Sequence, residues 1–484
     1  MKESSGVLVK EELFGELPPE WPDSNLLFKI QQNVKELKRK VVVLDDDPTG
    51  SQTVHGIFVR TSWTVEELKN SLGSEEDLFF ILTNTRSLPR EKAREINAEI
   101  ANNLCQAASE LGCEFTVISR GDSTLRGHFP DEVEVLEEVL GEKGLIFAGQ
   151  ILVPVFLEGG RYTIGDTHFV QDGKFLIPAA ETEFARDSVF GYRNSNLGLY
   201  IEEKTGGRIA VRDVISIGVS EIRTGGPRLV AQKLARVTGG KTIVVNSASY
   251  RDLEVFVLGL LDAEAQGKRF IVRSSASFVK VRGGISSRSL LNHQELSIPG
   301  SENLGGLVVV GSYVGKTSSQ IEAAIKLPGL RAIEVDVLKI LEPTTRDEEI
   351  ERVSAKVNDL IRQGNDVMVY TSRQLVTHSS KEGNLSVGNK VSASLVKIVQ
   401  GLEVQPRFLV AKGGITSNDV ATSGLGVKAA KVLGQVYPGI PVWLLGQETK
   451  FPGMPYVVFP GNVGNKETLV EIIALMRGSI ERIG

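Results

Sequence analysis

Short, wholly apolar runs recur along the chain, and most of them stop on an acidic, basic or glycine residue. VVVLD (41–45) is the first, followed by GIFVR (56–60), LFFILT (78–83) and EFTVIS (114–119). A run of this kind, bounded by polar turns, reads as a strand buried on both faces of a parallel sheet. Helical spacing fills the gaps, over Pro89 to Leu111 and over PDEVEVLEEVL (130–140). LIFAG and ILVPVF continue the alternation, and THFVQDGKFLI reads as a hairpin with Asp172-Gly173 at its turn. Residues from about 180 to 225 are polar and irregular, which suggests a lid on the substrate side. TIVVN (242–246), a helix to about 266 and RFIVR (269–273) complete this first series.

Residues 282–305 interrupt the rhythm with Gly, Ser and polar residues, as a domain connection does. A second series follows, with strands at GLVVV (306–310), AIEV (332–335), DVMVYT (366–371), RFLVA (407–411), a run near 429–436, and YVVF (456–459). The pattern predicts two α/β domains with mainly parallel sheets, over 41–281 and 306–484, and an active site in the interdomain cleft. Residues 1–40 read as an N-terminal extension. In it Leu26 to Lys40 would form one amphipathic surface helix whose last turns carry Lys35, Lys38, Arg39 and Lys40.

Composition changes this picture little. A chain of 484 residues is too long for one ordinary core. A net charge of -5 without a basic stripe argues against a nucleic-acid partner. The two cysteines, Cys105 and Cys113, form no CxxC pair and read as reduced thiols. No apolar run is long enough to span a bilayer and no signal peptide is visible, so a cytoplasmic protein is expected, with no membrane partner. A homo-oligomer is compatible with the sequence.

Chemistry concentrates where strands end. LDDDPTGSQTVHG (44–56) sets Asp45, Asp46 and Asp47 before a Pro48-Thr49-Gly50 turn. Crowded carboxylates repel, so one of them should bind a proton more tightly and could serve as a general base. LTNTRSLP (82–89) offers Arg86, whose planar fork suits a carboxylate. SRGDSTLRGHF (119–129) adds Arg120, Asp122, Ser123, Thr124 and Arg126 on a Gly-flanked loop. Together these clusters predict a polar pocket for an anionic, hydroxylated ligand. Glu158, Arg161 and Asp166 are weaker candidates.

In the second series GSYVGKT (311–317) follows a strand, but Gly311 and Gly315 are one residue too close for a Walker A loop. VAKGGITSNDV (410–420) is stronger: Gly413-Gly414 allow close backbone approach, and Thr416 or Ser417 can cap a helix. FPGNVGNKETL (459–469) repeats the scheme with Gly461, Asn462 and Gly464. Three such turns in one domain predict a nucleotide-phosphate site.

Taken together, these residues resemble the four-carbon acid sugar kinase family, formerly a domain of unknown function. The likeness rests on Asp46-Asp47-Pro48-Thr49-Gly50, Thr85-Arg86, Asp122 to Gly127 and Glu183 to Asp187. In the second half it rests on Gly311-Ser312, Gly413 to Ser417 and Gly461 to Gly464. It runs in order from about Val41 to the C-terminus. Departures are Val314, where the family's Gly-Ser-x-Ser turn has its second serine, and Pro48 with the triple Asp. The resemblance implies an ATP- and magnesium-dependent kinase acting on the 4-hydroxyl of threonate, erythronate or a 3-oxo-tetronate. Substrate contacts would come from Asp46, Arg86, Arg120, Asp122, Ser123 and Arg126. Nucleotide contacts would come from Ser312, Gly413, Gly414, Ile415, Thr416, Gly461, Asn462 and Gly464. Asp47 is the favoured base, with Asp46 and Asp122 as the other catalytic carboxylates, and Arg86 is expected to hold the substrate carboxylate.

Two other readings compete. Asp45-x-Asp47-x-Thr49 also fits the nucleophile loop of haloacid-dehalogenase-like phosphatases, with covalent catalysis by Asp45 and with Thr83 imitating their second motif. A non-catalytic sugar-acid sensor is the second.

Overall fold

The computed structural model describes residues 6–312, 315–373 and 381–480. The described residues fall into two compact units, one within Met1–Thr53 and Ser62–Ser287, the other within Val54–Thr61 and Arg288–Gly484. No helix among them is long and apolar enough to cross a membrane.

In the first unit seven strands lie parallel in the order Ile215–Ile217, Lys241–Val245, Gly149–Val153, Phe270–Ser274, Glu114–Arg120, Arg39–Asp45, Leu78–Leu82. Their residues are almost all buried, because helices such as Arg90–Leu111, Asp131–Glu142 and Tyr250–Ala265 bury apolar faces in the same core. The chain starts this sheet at Arg39–Asp45, adds Leu78–Leu82 on one side, then crosses to Glu114–Arg120 on the other. That reversal opens a crevice at the carboxyl ends of the three strands, the usual ligand position in an open α/β sheet.

A four-stranded antiparallel sheet, Leu8–Val9, Phe175–Pro178, Thr167–Asp172 and Arg161–Ile164, completes the unit. The expected hairpin is present, with Asp172 opposite Phe175, so Gly173 and Lys174 form its tip. The N-terminal segment is built into the unit rather than appended to it. Leu8 pairs with Leu176, Lys10 Nζ bonds Tyr162 Oη at 2.8 Å, and Arg223 Nη1 bonds the Pro18 carbonyl at 2.8 Å. The amphipathic helix is shorter than the charge pattern suggested. Leu26–Leu37 ends at Lys38, which turns left-handed (φ 49°), and Arg39 and Lys40 already belong to the first parallel strand. There Arg39 is paired with Glu114 at 2.8 Å. The region 180–225 is also more regular than expected. It holds the capped helix Leu197–Lys204 and the start of Val219–Ala235, whose apolar faces the polar sequence obscured. LIFAG forms no strand before Gly149.

In the second unit five parallel strands run in the order Pro455–Phe459, Leu409–Lys412, Leu307–Val310, Asp366–Thr371, Leu330–Val335. Antiparallel strands Ile440–Leu445, Ala429–Tyr437 and Phe58–Arg60 extend it past Pro455–Phe459. Ile440–Leu445 escaped the sequence reading, because Tyr437-Pro438-Gly439 looked like the end of a run rather than a hairpin tip. GIFVR was read with the first series, but Phe58–Arg60 pairs with Ala429–Lys431.

Candidate functional site

The first cluster sits at the strand ends flanking the crevice of the first unit. Asp45 closes the strand Arg39–Asp45, and its backbone carbonyl accepts from both the N–H and the hydroxyl of Thr83, at 2.9 Å each. Its side chain bonds Arg120 Nη1 at 3.2 Å. A Cβ on Gly50 would stand 1.9 Å from Asp45 Oδ2, so glycine is what lets the turn close over this carboxyl. Burial pushes Asp45 up to about 7 against the pull of Arg120, with Asp46 and Asp47 adding to the rise. Burial raises Asp46 as well, against the pull of Arg86 and Arg273. Asp47, expected to be raised by its neighbours, is instead lowered. Burial would raise it, but Arg86 and hydrogen bonds from Thr49 N and Oγ1, at 2.9 and 2.5 Å, outweigh that. An enclosed, ion-paired Asp45 is also poorly placed to attack a phospho-ester.

Arg86 lies at the centre of the acids. Its Nε and Nη2 hold Asp46 at 3.2 and 2.5 Å, and its Nη1 lies 3.4 Å from Asp47 and 3.8 Å from Asp122. Arg86 was expected to offer its fork to a substrate carboxylate; in the structure that fork is shared among three acids. Arg120 is buried beside Asp45 and 3.9 Å from Asp46, equally internal. Among the adjacent aspartates Asp47 is the reachable one, its side chain 20% exposed against 2% for Asp46 and 4% for Asp45.

The loop after Glu114–Arg120 is held by groups that the motifs did not reveal. Arg273, on a neighbouring strand, donates from Nη1 to Ser119 Oγ at 2.7 Å and to Glu132 Oε2 at 2.6 Å, with Nη2 3.6 Å from Asp46. A Cβ at Gly121 would be 2.1 Å from Arg273 Nη2 and one at Gly127 2.8 Å, so both glycines make room for this guanidinium. Tyr192 and Tyr200 donate to the carbonyls of Thr124 and Leu125 at 2.8 and 2.9 Å. His168 is buried, and burial lowers it to about 4, so it is neutral and donates from Nε2 to the Ser123 carbonyl at 2.8 Å while Thr163 Oγ1 serves Nδ1. Asp122, so positioned, takes Thr124 and Arg126, the latter from Nε at 2.9 Å. Arg86 and Arg126 hold it well below the ordinary carboxylate range against burial. A lone His, Tyr or Arg inside an apolar run carries no local signal of such a task. Of the weaker candidates, Asp166 is structural, accepting from Ser216 and Asn246 at 2.6 and 2.7 Å. Glu158 binds Ser277 at 3.0 Å and also accepts from Tyr250.

In the second unit the three glycine turns follow three adjacent parallel strands and touch one another. Tyr313 and Val314 of the first turn lie outside the described residues. A Cβ on Gly311 would be 2.2 Å from Thr416 Oγ1, and one on Gly413 (φ +115°) would be 3.2 Å from Ser312 Cβ. Ser417 Oγ bonds the Ala411 carbonyl at 2.7 Å, while Ile415 projects outward, exposed. The third turn shows its carbonyls to one side: Pro460 O to Lys412 Nζ (3.2 Å), Gly461 O to Thr317 Oγ1 (3.1 Å), Asn462 O to Lys316 Nζ (3.1 Å). The N–H groups of Gly461 to Gly464 donate to no partner among the described residues. Lys412 was missed in the sequence although it directly precedes Gly413. It is wholly buried, with its ammonium 3.5 Å from the Phe459 ring centre, and burial with the charge of Lys316 lowers it to about 7.

Among the described residues no three His, Cys, Asp or Glu side chains are grouped to hold a metal ion. The acids of the first cluster are instead matched by Arg86, Arg120 and Arg273. These residues do not form a resident magnesium site.

Comparison with known proteins agrees with this division. A sugar-binding N-terminal domain model matches residues 41–282, and a nucleotide-binding C-terminal domain model matches residues 307–469. A D-erythronate kinase of Heliobacterium modesticaldum is 26% identical over 328 residues, 66% of this chain and 68% of that protein. Two solved structures share the fold. One, described as a putative tRNA synthase of Salmonella typhimurium, has a TM-score of 0.66 at 17% identity, over 89% of this chain and 98% of its own. The other, a Haemophilus influenzae protein of the family once called domain of unknown function 1537, has a TM-score of 0.62 at 18% identity, over 90% and 100%. With both domain models in order along most of its length, this chain belongs to the four-carbon acid sugar kinase family.

Proposed function

We propose that the protein transfers the γ-phosphoryl group of ATP to the terminal (4-) hydroxyl of a four-carbon sugar acid such as erythronate, threonate or a 3-oxo-tetronate. One observation carries the reading. A sugar-binding unit gathers Asp47, Asp122, Arg86 and Arg126 at one crevice, and a nucleotide-binding unit gathers three glycine turns with Lys316 and Lys412 at adjacent strand ends. The D-erythronate kinase relative supports the substrate class.

In this reading Ser312, Gly413, Gly414, Thr416, Gly461, Asn462 and Gly464 take the nucleotide, with N–H groups on its phosphates and exposed Ile415 beside them. Magnesium bound to the nucleotide would supply charge neutralisation. Asp122 and Ser123 orient the substrate hydroxyls. Asp47 accepts the proton of the attacking hydroxyl: its Oδ1 is taken by Thr49, and its Oδ2 has only a long 3.4 Å contact with Arg86. The carboxylate is ionised at neutral pH, so it is ready to accept, though its lowered proton affinity makes it a mild base. A mild base suffices for phosphoryl transfer, in which positioning and charge stabilisation supply most of the acceleration. Asp46 and Arg120, both buried, hold Arg86 and the turn in place.

The test is ATP turnover against a panel of C4 sugar acids, with the product located by NMR. A 4-phosphate with stoichiometric ADP is expected. Phosphate release from a phospho-ester without ATP, or binding without turnover, overturns the proposal.

A further inference from the structure

With Arg86 occupied by three acids, the substrate's own carboxylate needs another partner. The guanidinium of Arg161 is the candidate. It follows the turn Leu157–Gly160, where Phe156 and Arg161 exchange backbone hydrogen bonds of 3.1 and 2.8 Å. Gly159 lacks the side chain that would press on Phe156 and stand 3.0 Å from Arg161 Nη1. Its carbonyl accepts from that same nitrogen. Arg161 Nε is buried and bonded to nothing. Arg86, Arg120, Arg126 and Arg273 each have a carboxylate within 4 Å, whereas Arg161 has none among the described residues. Asp122 offsets this burial only from beyond 4 Å, and a guanidinium cannot shed its charge, so the remaining cost is one that a closer anion would relieve.

Its surroundings fit the carboxylate end of a short sugar acid. Arg161 and Arg126 lie over the same Phe184 ring, with guanidinium carbons 5.8 and 5.1 Å from its centre. Half-buried Phe184 gives both guanidinium groups an apolar support, and with Arg161 Nη1 on the Gly159 carbonyl and Nε buried, Arg161 Nη2 is the donor left for an anion. Arg126 also bonds Asp122, so the acid-holding and hydroxyl-orienting groups are joined through one side chain.

We propose that Arg161, assisted by Arg126 across Phe184, is the receptor for the substrate carboxylate and sets the preference for sugar acids over neutral polyols. The proposal rests on the sugar-acid kinase reading for its ligand, and it concerns one end of that ligand only.

The test compares D-erythronate and threonate with their uncharged amides, on the wild type and on Arg161→Met and Arg161→Lys, each checked for an unchanged melting transition. In Arg161→Met, the KM of the acid should rise about 10- to 100-fold, the range for losing a charge-assisted contact, while kcat changes only a few-fold. Competitive inhibition by the amide should not change, and Arg161→Lys should recover part of the loss. An unchanged KM, or equal weakening of acid and amide, overturns the assignment. If neither acid is turned over with ATP, the kinase reading fails separately, and calorimetry still decides the anion site. Acid binding lost in Arg161→Met with amide binding retained upholds it; no acid binding by the wild type overturns it.

Discussion

Replacing Arg273 by methionine removes the counter-charge of Glu132 while keeping most of the side-chain volume. Both side chains are nearly inaccessible, 7% and 3% exposed, and their ion pair measures 2.6 Å. Glu132 would keep only the hydrogen bond from Thr85 Oγ1 at 2.5 Å, and Asp46 would lose a second cation at 3.6 Å. Stranding a buried carboxylate in this way costs about 3–5 kcal/mol. At about 2–4 °C per kcal/mol, the melting transition of the first unit should fall by roughly 6–20 °C. Removing the stranded charge as well, in Arg273→Met/Glu132→Gln, should restore a large part of that loss, because groups in contact do not act additively. Calorimetric scans of the wild type, the two single variants and the double variant close the cycle. A loss below about 1 kcal/mol in Arg273→Met, the worth of a surface pair, would refute the argument. So would a double variant whose loss equals the sum of the singles.

Asp47→Asn should bind sugar acid and nucleotide while kcat falls about 10²- to 10⁴-fold; near-normal kcat there, with a collapse in Asp122→Asn, would move the base to Asp122. Gly464→Val puts a side chain where φ is +82° and where its Cβ would stand 2.5 Å from Thr468 Oγ1. It should weaken ATP in a binding titration and spare sugar-acid binding, and equal loss of both in a folded variant counts against the assignment. Lys412, lowered to about 7, should gain proton affinity beside a polyphosphate, so ATP binding takes up a proton and weakens as pH rises from about 7. Calorimetry in buffers of different ionisation enthalpy reads that proton, and Lys412→Met should abolish it. Without nucleotide the sign is set by the unfolded lysine, whose pKa is about 10.4. The penalty for burying the ammonium is full below about 7 and fades toward 10.4, so stability rises with pH across that window, and the methionine variant lacks the rise.

The local pattern alone determined much of this protein. Strands such as Arg39–Asp45, Leu78–Leu82 and Leu409–Lys412 were legible because a strand covered on both faces must be apolar throughout. The polar and glycine loops at the strand ends stood out because such residues following buried strands have few structural reasons to be there. Tertiary structure decided what distance along the chain conceals. Arg273 and Glu132 are 141 residues apart, and His168 reaches the Ser123 carbonyl across 45. It also decided how tightly each acid binds a proton. Three adjacent aspartates look alike in sequence, but buried Asp45 and Asp46 are raised, Asp45 beneath Gly50, while Asp47 faces Thr49 and Arg86 and is lowered. Chain order sets which residues are neighbours on one strand end; proton affinity depends on burial and on charges brought in by other strands, and only folding supplies those.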